Sequence, residues 1–210
     1  MSINAAKSAP RSSYHHGDLQ WALIESAIKL VRKEGPARLS LRAVAADVGV
    51  SPSAVYHYFP DKDALITGVA HELFAQLFAM QQSAVQRVNG NSAKAAREKF
   101  RALGRSYFEW AHRDPNLFRL MFGGFCAIEH GKDPEHDPAF AMLQSALDEL
   151  LAHGAIEKKA RKDAEIFVWA TVHGATNLII EGAMPAAAYE LILDSIETSL
   201  GIKSAVRAVK

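Results

Sequence analysis

Apolar side chains recur at steps of three and four residues along most of the chain, the spacing that places them on one face of an α-helix. The first such stripe occupies residues 18–35 and ends at Gly35-Pro36, because glycine accepts the left-handed cap conformation and proline cannot continue a helix. No segment sustains the period of two that is typical of a strand. The pattern therefore predicts an all-α protein with about nine helices.

Two short helices separated by a tight turn are predicted next. Ser40 suits the N-cap of the first helix, and Gly49 stands where a tight turn needs a positive φ. Ser51 suits an N-cap and Pro52 the first position of the second helix, which ends before Pro60. The inner face of the first helix would consist of Leu41, Val44, Ala45 and Val48.

Six further helices are predicted in the rest of the chain. Asp61 and Ser92 suit the N-caps of two long helices, the first of which runs from Lys62 to about Val88. The second carries an apolar stripe made of Ala96, Phe100, Leu103, Tyr107 and Trp110. A short helix follows Asp114-Pro115. The last three are placed near 138–152, 161–182 and 186–200.

The composition fits a globular chain with a packed core. Of the 210 residues 49% are apolar and 22% charged, which excludes a disordered, collagen-like or disulfide-scaffold protein. The only cysteine, Cys126, cannot form an intrachain disulfide. Residues 1–18 lack the apolar stretch of a signal peptide, and the longest uncharged run, residues 166–180, is shorter than the roughly 20 residues of a membrane span. We expect a cytoplasmic protein without a membrane partner.

Residues 40–59 have the order helix, tight turn, helix, which is the geometry of a helix-turn-helix. The second helix begins with small residues, so that its backbone could approach bases and phosphates in the major groove of DNA. Its last residues, Tyr56, His57, Tyr58 and Phe59, point around the helix, and outward Tyr and His side chains can donate to phosphates. On spacing alone, an αα corner inside a helical domain remains the alternative.

The stretch SLRAVAADVGVSPSAVYHYFPDKDAL, which starts at Ser40, resembles the DNA-binding domain of the TetR (tetracycline-repressor) family of bacterial transcriptional regulators. The resemblance covers about residues 15–70. It implies that Arg42 reaches a base edge or phosphate and that Lys62 anchors a phosphate. The DNA-binding residues that it implies are Ser40, Arg42, Ser51, Pro52, Ser53, Ala54, Tyr56, His57, Tyr58 and Lys62. The packing residues would be Val44, Val48, Val55 and Phe59.

The second half is similar to part of the same family. The stretch YFEWAHRDPNLFRLMF at 107–122 and the Trp169-x-x-x-His173-Gly174 element resemble the C-terminal domain type marked by a Trp-His-Gly signature. This implies a ligand-binding and dimerisation domain without naming the ligand. The predicted organisation is a flexible arm (1–16), a three-helix DNA-binding domain (17–64), a ligand-binding and dimerisation domain reached through a long helix (65–203) and a tail (204–210).

The uncharged run at 166–180 also predicts a homodimer. A helix that is apolar around its circumference must be covered on two sides, and the second cover is most simply another subunit. The small residues Ala170, Gly174 and Ala175 would permit a close approach. The last helix adds an apolar stripe of Tyr189, Ile192, Leu193, Ile196 and Leu200, so the interface is predicted in the last two helices. Burial of the run within one bundle is the alternative.

Aromatic residues of the second half form the candidate pocket for a small, mostly apolar effector, since ligand sites combine apolar walls with a few polar groups. His173 and Asn177, one helical turn apart, could supply those polar groups. The predicted pocket consists of Phe108, Trp110, Phe118, Phe122, Phe125, Phe140, Trp169, His173 and Asn177. The alternative is that these aromatic residues only form the core.

These features predict a transcriptional repressor that a small effector releases from a palindromic operator. An activator or a ligand-independent regulator is the alternative, followed by an all-α enzyme or carrier that uses the aromatic cavity. The sequence holds no nucleophile elbow, P-loop or dinucleotide fingerprint, and no catalytic residue, cofactor or metal is predicted. The weak candidates for a metal or redox site are Cys126, His130, Asp133, His136 and Asp137.

The charge balance sharpens the DNA-binding hypothesis. Lys and Arg number 24 and Asp and Glu 23, a net charge of +1. Within residues 40–65 the cations Arg42 and Lys62 are outnumbered by Asp47, Asp61 and Asp63. The two copies in the dimer and the hydroxyl donors must therefore contribute to DNA affinity in addition to the cations. Few neutralised phosphates predict a modest dependence of affinity on salt.

Overall fold

The computed structural model describes residues 16–124 and 138–202. The helices are α1 (His16–Glu34), α2 (Leu41–Val48), α3 (Pro52–Tyr58), α4 (Lys62–Gln86), α5 (Ala93–Arg113), α6 (Pro115–Phe122), α7 (Pro138–Ala152), α8 (Lys158–Arg161), α9 (Ala164–Ile180) and α10 (Ala188–Ser199), with a 3-10 turn at Pro36–Arg38. These ranges contain no strand, and nine helices have seven or more residues. The all-α prediction is confirmed.

Two parts of the predicted organisation lie beyond those ranges. The predicted arm falls outside them except for His16, and the predicted tail falls outside them entirely. Among the helices that the structure describes, none is both long and apolar enough to cross a membrane.

The predicted side-chain caps set the beginnings of four helices. Ser40, Ser51, Asp61 and Ser92 each accept a hydrogen bond from the backbone N–H three residues further on, at 2.8 to 3.3 Å. Each such bond satisfies one of the N–H groups that the first turn of a helix leaves unpaired, and is worth about 1 kcal/mol. Local chemistry therefore determines where these helices start.

The helix predicted near 161–182 is confirmed as α9, and the short α8 before it was not predicted. The short α8 ends before Lys162, and α9 begins at Ala164. Between them Asp163 has a φ of 55°, a left-handed conformation that a helix cannot pass through. The other differences are smaller, since α4 ends at Gln86 rather than near Val88.

The long helix α4 connects the two halves of the molecule. It packs on α1 of the N-terminal half and on α5, α6 and α7 of the C-terminal half. The buried residues of α4 are Leu65, Ile66, Val69, Ala70, Leu73, Leu77 and Gln81. The stripe predicted on α5 is buried at all five positions, and the core continues without a break from Leu23 of α1 to Ile202. Both halves thus share one hydrophobic core.

Helix α10 is held against α5 by three arginines, Arg97, Arg101 and Arg105, which face three carboxylates. Arg97 binds both carboxylate oxygens of Glu197, at 2.8 and 2.6 Å, and this carboxylate is only 2% exposed. Hydrogen bonding from Arg105, aided by Arg101, lowers the pKa of Glu190 to about 2. The third carboxylate, of Asp194, pairs with Arg101 at 2.7 Å.

Candidate functional site

The turn between α2 and α3 fixes how α3 is presented. Gly49 has a φ of 77° and donates to the carbonyl of Ala46 at 3.3 Å, while Val50 donates to the carbonyl of Ala45 at 2.9 Å. This pair of bonds is a Schellman motif, which ends α2 and redirects the chain within two residues. A side chain at position 49 would be strained in this conformation. The turn predicted from the sequence is confirmed.

The inner side of α3 is anchored by apolar residues. Val55 and the following Phe59 are buried, as is Val44 of α2, and Val48 is half-buried against the same core. A Cβ at Gly68 of α4 would lie 3.1 Å from the Phe59 ring, so the absence of a side chain there admits Phe59. The packing prediction for these residues is confirmed.

The outer side of α3 is polar and aromatic. Ser51, Pro52, Ser53, Tyr56 and His57 are exposed. The hydroxyls of Ser51 and Ser53 lie 2.9 Å apart, and Tyr56 follows Ser53 on the same face. The half-buried members of the predicted set on this helix are Ala54 and Tyr58. An outward surface of hydrogen-bonding groups on an anchored helix is what contact with a polar polymer requires.

The remaining predicted residues flank α3 on two neighbouring helices. Arg42 is exposed on the first turn of α2, and Lys62 is half-buried at the first position of α4. Ser40 and Ser51 use their hydroxyl oxygens as acceptors in helix caps, and the Ser51 hydroxyl also shares a hydrogen bond with Ser53.

Two features of the N-terminal helices were not predicted. Trp21 is an exposed aromatic residue near the start of α1, and the apolar pattern of that helix gave no signal of its exposure. Ser26 is buried and donates to Asp47 at 2.6 Å, which ties α1 to α2. A serine inside the apolar stripe of α1 could have indicated such a bond.

An aromatic cluster lies where α4, α5, α6 and α9 meet, centred on His173. We define it by its members: Phe74, Tyr107, Phe118, Phe122, Trp169 and His173. The His173 ring stacks on Trp169 at 5.1 Å and lies 4.8 Å from Phe122 and 5.4 Å from Phe118. Its Nδ1 is 2.8 Å from the Tyr107 hydroxyl. Phe122 also contacts Phe74 of α4, with the ring centroids 5.7 Å apart.

The structure brings together four of the nine predicted pocket residues, namely Phe118, Phe122, Trp169 and His173. Phe108 instead stacks on Tyr189 of α10 at 4.1 Å. The others are Trp110, which is fully buried, Phe140, which is half-buried on α7, and Asn177, which is exposed. Phe125 lies outside the described residues. The sequence did not indicate Phe74 and Tyr107, although Tyr107 belongs to the aromatic stretch at 107–122.

The outward face of α9 carries large apolar side chains. Ile166 is 63% exposed and Trp169 41%, and Phe167 and Leu178 are also exposed. Ala170 is exposed as well, and a Cβ at Gly174 would meet nothing within 4 Å. The approach surface predicted on α9 therefore lies open, except at Ala175, which is buried.

The stripe predicted for the interface on α10 faces inward instead. Four of its five members are buried and Ile192 is half-buried, because this stripe covers the core of its own subunit. The exposed large apolar residue of α10 is Leu191. The interface prediction for α10 is corrected accordingly: a partner could meet Leu191 but not the stripe.

The described residues contain no group of three His, Cys, Asp or Glu side chains that could hold a metal ion. His153 pairs with Asn91 at 2.8 Å between Nε2 and Oδ1. The weak metal and redox candidates at positions 126–137 lie outside the described residues.

Comparison with known proteins separates the chain into two matching regions. Residues 23–69 match the family of bacterial regulatory proteins of the tetR type, and residues 100–198 match the tetracyclin repressor-like C-terminal domain. Together these regions cover more than half of the chain. The Trp-His-Gly subtype of the C-terminal domain stays a prediction.

Curated relatives are similar over part of their length. The HTH-type transcriptional regulator BetI of Stenotrophomonas maltophilia is 26% identical over 129 residues, and the match spans 61% of each chain. The nicotine-responsive repressor HdnoR of Paenarthrobacter nicotinovorans is 38% identical over 60 residues, which is 29% of this chain and 31% of the relative. The chain thus spans about three fifths of the length of BetI and about a third of the length of HdnoR.

Solved structures are similar over nearly the whole chain. A protein of unknown function from Rhodococcus sp. RHA1 has a TM-score of 0.74 at 26% identity, covering 92% of this chain and all of that one. A TetR family transcription regulator from Marinobacter aquaeolei VT8 has a TM-score of 0.60 at 19% identity, covering 86% and 94%, and at that identity it supports the fold alone. The two matched regions, in the order and fold described above, lead to one conclusion: the chain belongs to the TetR family of bacterial regulatory proteins.

Proposed function

We propose that this protein is a homodimeric, DNA-binding transcriptional repressor that inserts α3 into the major groove of its operator. The observation that carries the proposal is that α3 is anchored on its inner side and exposes hydrogen-bonding groups on its outer side. The Gly49 turn and the buried Val55 and Phe59 hold the helix in place, while Ser53 and Tyr56 stand on its outer face. A recognition helix must have this combination of a rigid inner side and a hydrogen-bonding outer side.

The residues around α3 divide by the contacts that they can make. Ser53 and Ala54 are small and lie in the first turn, where a recognition helix contacts base edges. Tyr56, His57, Tyr58 and Lys62 carry donors suited to phosphate oxygens. Arg42, exposed on α2, reaches a base edge or a phosphate. In this arrangement phosphate contacts position the protein, and few contacts specify the sequence.

The outward face of α9 supports a dimer. Large apolar side chains that stay exposed on one helix face mark an interaction surface, and a second copy of the same helix is the partner that a two-fold operator requires. Ala170 and Gly174 leave room for the two helices to approach closely. Leu191 of α10 extends the apolar area.

The aromatic cluster is the proposed contact site for a small, mostly apolar effector. It joins α4, which leads to the recognition helix, with α6, which packs on α1. An effector that binds one arrangement of these helices more tightly shifts the spacing of the two recognition helices by that difference in affinity. Under this proposal the protein is not an enzyme, and it acts beside the chromosome in the cytoplasm.

Selection of bound DNA from a random pool tests the proposal. We expect an inverted repeat whose half-site centres lie about 34–36 Å apart, or a multiple of that distance. Ser53→Arg should change the selected sequence and leave the oligomeric state unchanged, whereas Glu98→Gln, at an exposed position of α5, should change neither. A pool that yields no enriched sequence would contradict DNA recognition, and a single unrepeated half-site would contradict the dimer.

A further inference from the structure

Gln81 lies in the interior of the C-terminal helices although its side chain is polar. It is 4% exposed and continues the buried stripe of α4 that runs through Leu73 and Leu77. Its carbonyl oxygen Oε1 has no hydrogen-bond partner among the described residues. Buried polar groups in folded proteins are almost always paired, because water solvates them in the unfolded chain. An unpaired amide oxygen in a core therefore points to a partner other than the described residues.

The same face of α4 connects Gln81 with the aromatic cluster. Gln81 follows Phe74 by seven residues, which is two turns, so the two side chains leave the helix in nearly the same direction about 10 Å apart along its axis. Phe74 contacts Phe122, which in turn contacts His173. One helix face thus runs from an apolar, aromatic end to an unpaired hydrogen-bond acceptor.

We propose that the effector is an elongated, mostly apolar molecule that carries a hydroxyl or N–H group and donates it to Gln81 Oε1. This inference rests on the proposed function and specifies the chemistry of its ligand. The apolar end of the molecule meets Phe74 and Phe122, and the donor lies two helical turns further along α4. A hydrogen bond made in an apolar interior is electrostatically stronger than one in water, so a single donor selects the ligand.

Entry of such a molecule requires side chains beside α4 to move. Met80 on α4 and Met142 on α7 are half-buried against the core, and their unbranched side chains can change rotamer at little cost. A bond to Gln81 acts on the helix whose first residue, Lys62, follows the recognition helix closely in the chain. Ligand binding at Gln81 therefore bears directly on the position of α3.

A matched pair of probes tests the proposal on the full chain: 4-butylphenol, which has a hydroxyl donor, and its methyl ether 4-butylanisole, which has none. We expect calorimetric titration to show that the phenol binds roughly three- to tenfold more tightly. The Gln81→Leu variant should still bind the ether but should no longer prefer the phenol. Gln82→Leu, at the exposed neighbouring position, should retain the preference. Gln81→Met, which keeps the length of the side chain, replaces the leucine variant if that variant does not fold.

Three results would overturn the inference: equal affinity of the protein for the two probes, binding of neither, or a preference that persists without Gln81. Equal affinity together with a lower melting temperature of Gln81→Leu would identify a buried water as the partner of Oε1 instead. Binding of the selected operator is measured separately without probe. If the unaltered protein does not bind the operator, the proposed function is contradicted. If it binds the operator but shows no preference between the probes, only the role of Gln81 is contradicted.

Discussion

Arg32 and Asp114 form an ion pair between α1 and the junction of α5 with α6, with 2.7 Å between Nε and Oδ1. Asp114 is only 8% exposed and also pairs with Arg113. Asn116 adds a bond at 3.1 Å to the carbonyl of Arg32. Because α6 also carries Phe118 and Phe122, this junction places the aromatic cluster one helix away from the DNA-binding helices.

Loss of the Asp114 carboxylate should loosen this junction. Asp114→Asn leaves Arg32 without its charged partner, and we expect the free energy of unfolding to fall by about 1–2 kcal/mol, as measured by urea denaturation. Arg32→Ala should have a smaller effect, about 1 kcal/mol or less, because its side chain is nearly half exposed and solvent screens the pair. Glu34→Gln, at an exposed position of α1, serves as the control. Equal stability of Asp114→Asn and the unaltered protein would show that the ion pair does not hold the junction.

Lys62 should contribute to DNA binding through a phosphate. Lys62→Ala removes one cation from each subunit, so we expect weaker binding of all sequences and a reduction of about 2 in the slope of log affinity against log salt for the dimer. Fluorescence anisotropy at several salt concentrations measures both quantities. Lys94→Ala, on the exposed start of α5, is the control. An unchanged slope would remove Lys62 from the interface.

The outward face of α9 should control the oligomeric state. Ile166→Glu puts a charge on the most exposed large side chain of that helix, and burial of an unpaired charge between two subunits is strongly unfavourable. We expect a folded monomer by analytical ultracentrifugation, with circular dichroism unchanged and operator affinity much reduced. Ala79→Glu, at an exposed position of α4, should remain dimeric. A dimeric Ile166→Glu would direct the search for the interface to another surface.

Glu190 should make stability depend on acid pH. Hydrogen bonding from Arg105 lowers its pKa from 4.5 to about 2, so its stabilising contribution is complete above the unfolded-state pKa and is lost as pH falls from 4.5 toward 2. Since half of this side chain is exposed, we expect a contribution below about 1 kcal/mol. Glu190→Gln should flatten the fall in unfolding free energy over that pH range, and Glu98→Gln should not. The same slope in both variants would assign the acid sensitivity to other carboxylates.

The sequence predicted the local features of the fold with few errors. The caps at Ser40, Ser51, Asp61 and Ser92 and the left-handed Gly49 lie where they were expected. Where the sequence missed an element, at the short α8, the break that separates α8 from α9 comes from Asp163. An aspartate at that conformation is uncommon, and no glycine marked the break.

Features that depend on residues close together in the chain could be predicted from the sequence, whereas contacts between distant residues could not. Caps, tight turns and the helical stripe of α5 depend on residues three to five positions apart, so the sequence by itself determined the all-α fold and the helix-turn-helix. Only the tertiary structure decided which faces are covered: that the stripe of α10 packs inward, that Trp169 stays partly exposed, and that Gln81 is buried without a partner among the described residues. Those outcomes depend on contacts between helices that are distant in the chain, such as the one between Arg32 and Asp114. A periodic apolar pattern shows which face of a helix is apolar but not which other helix covers it.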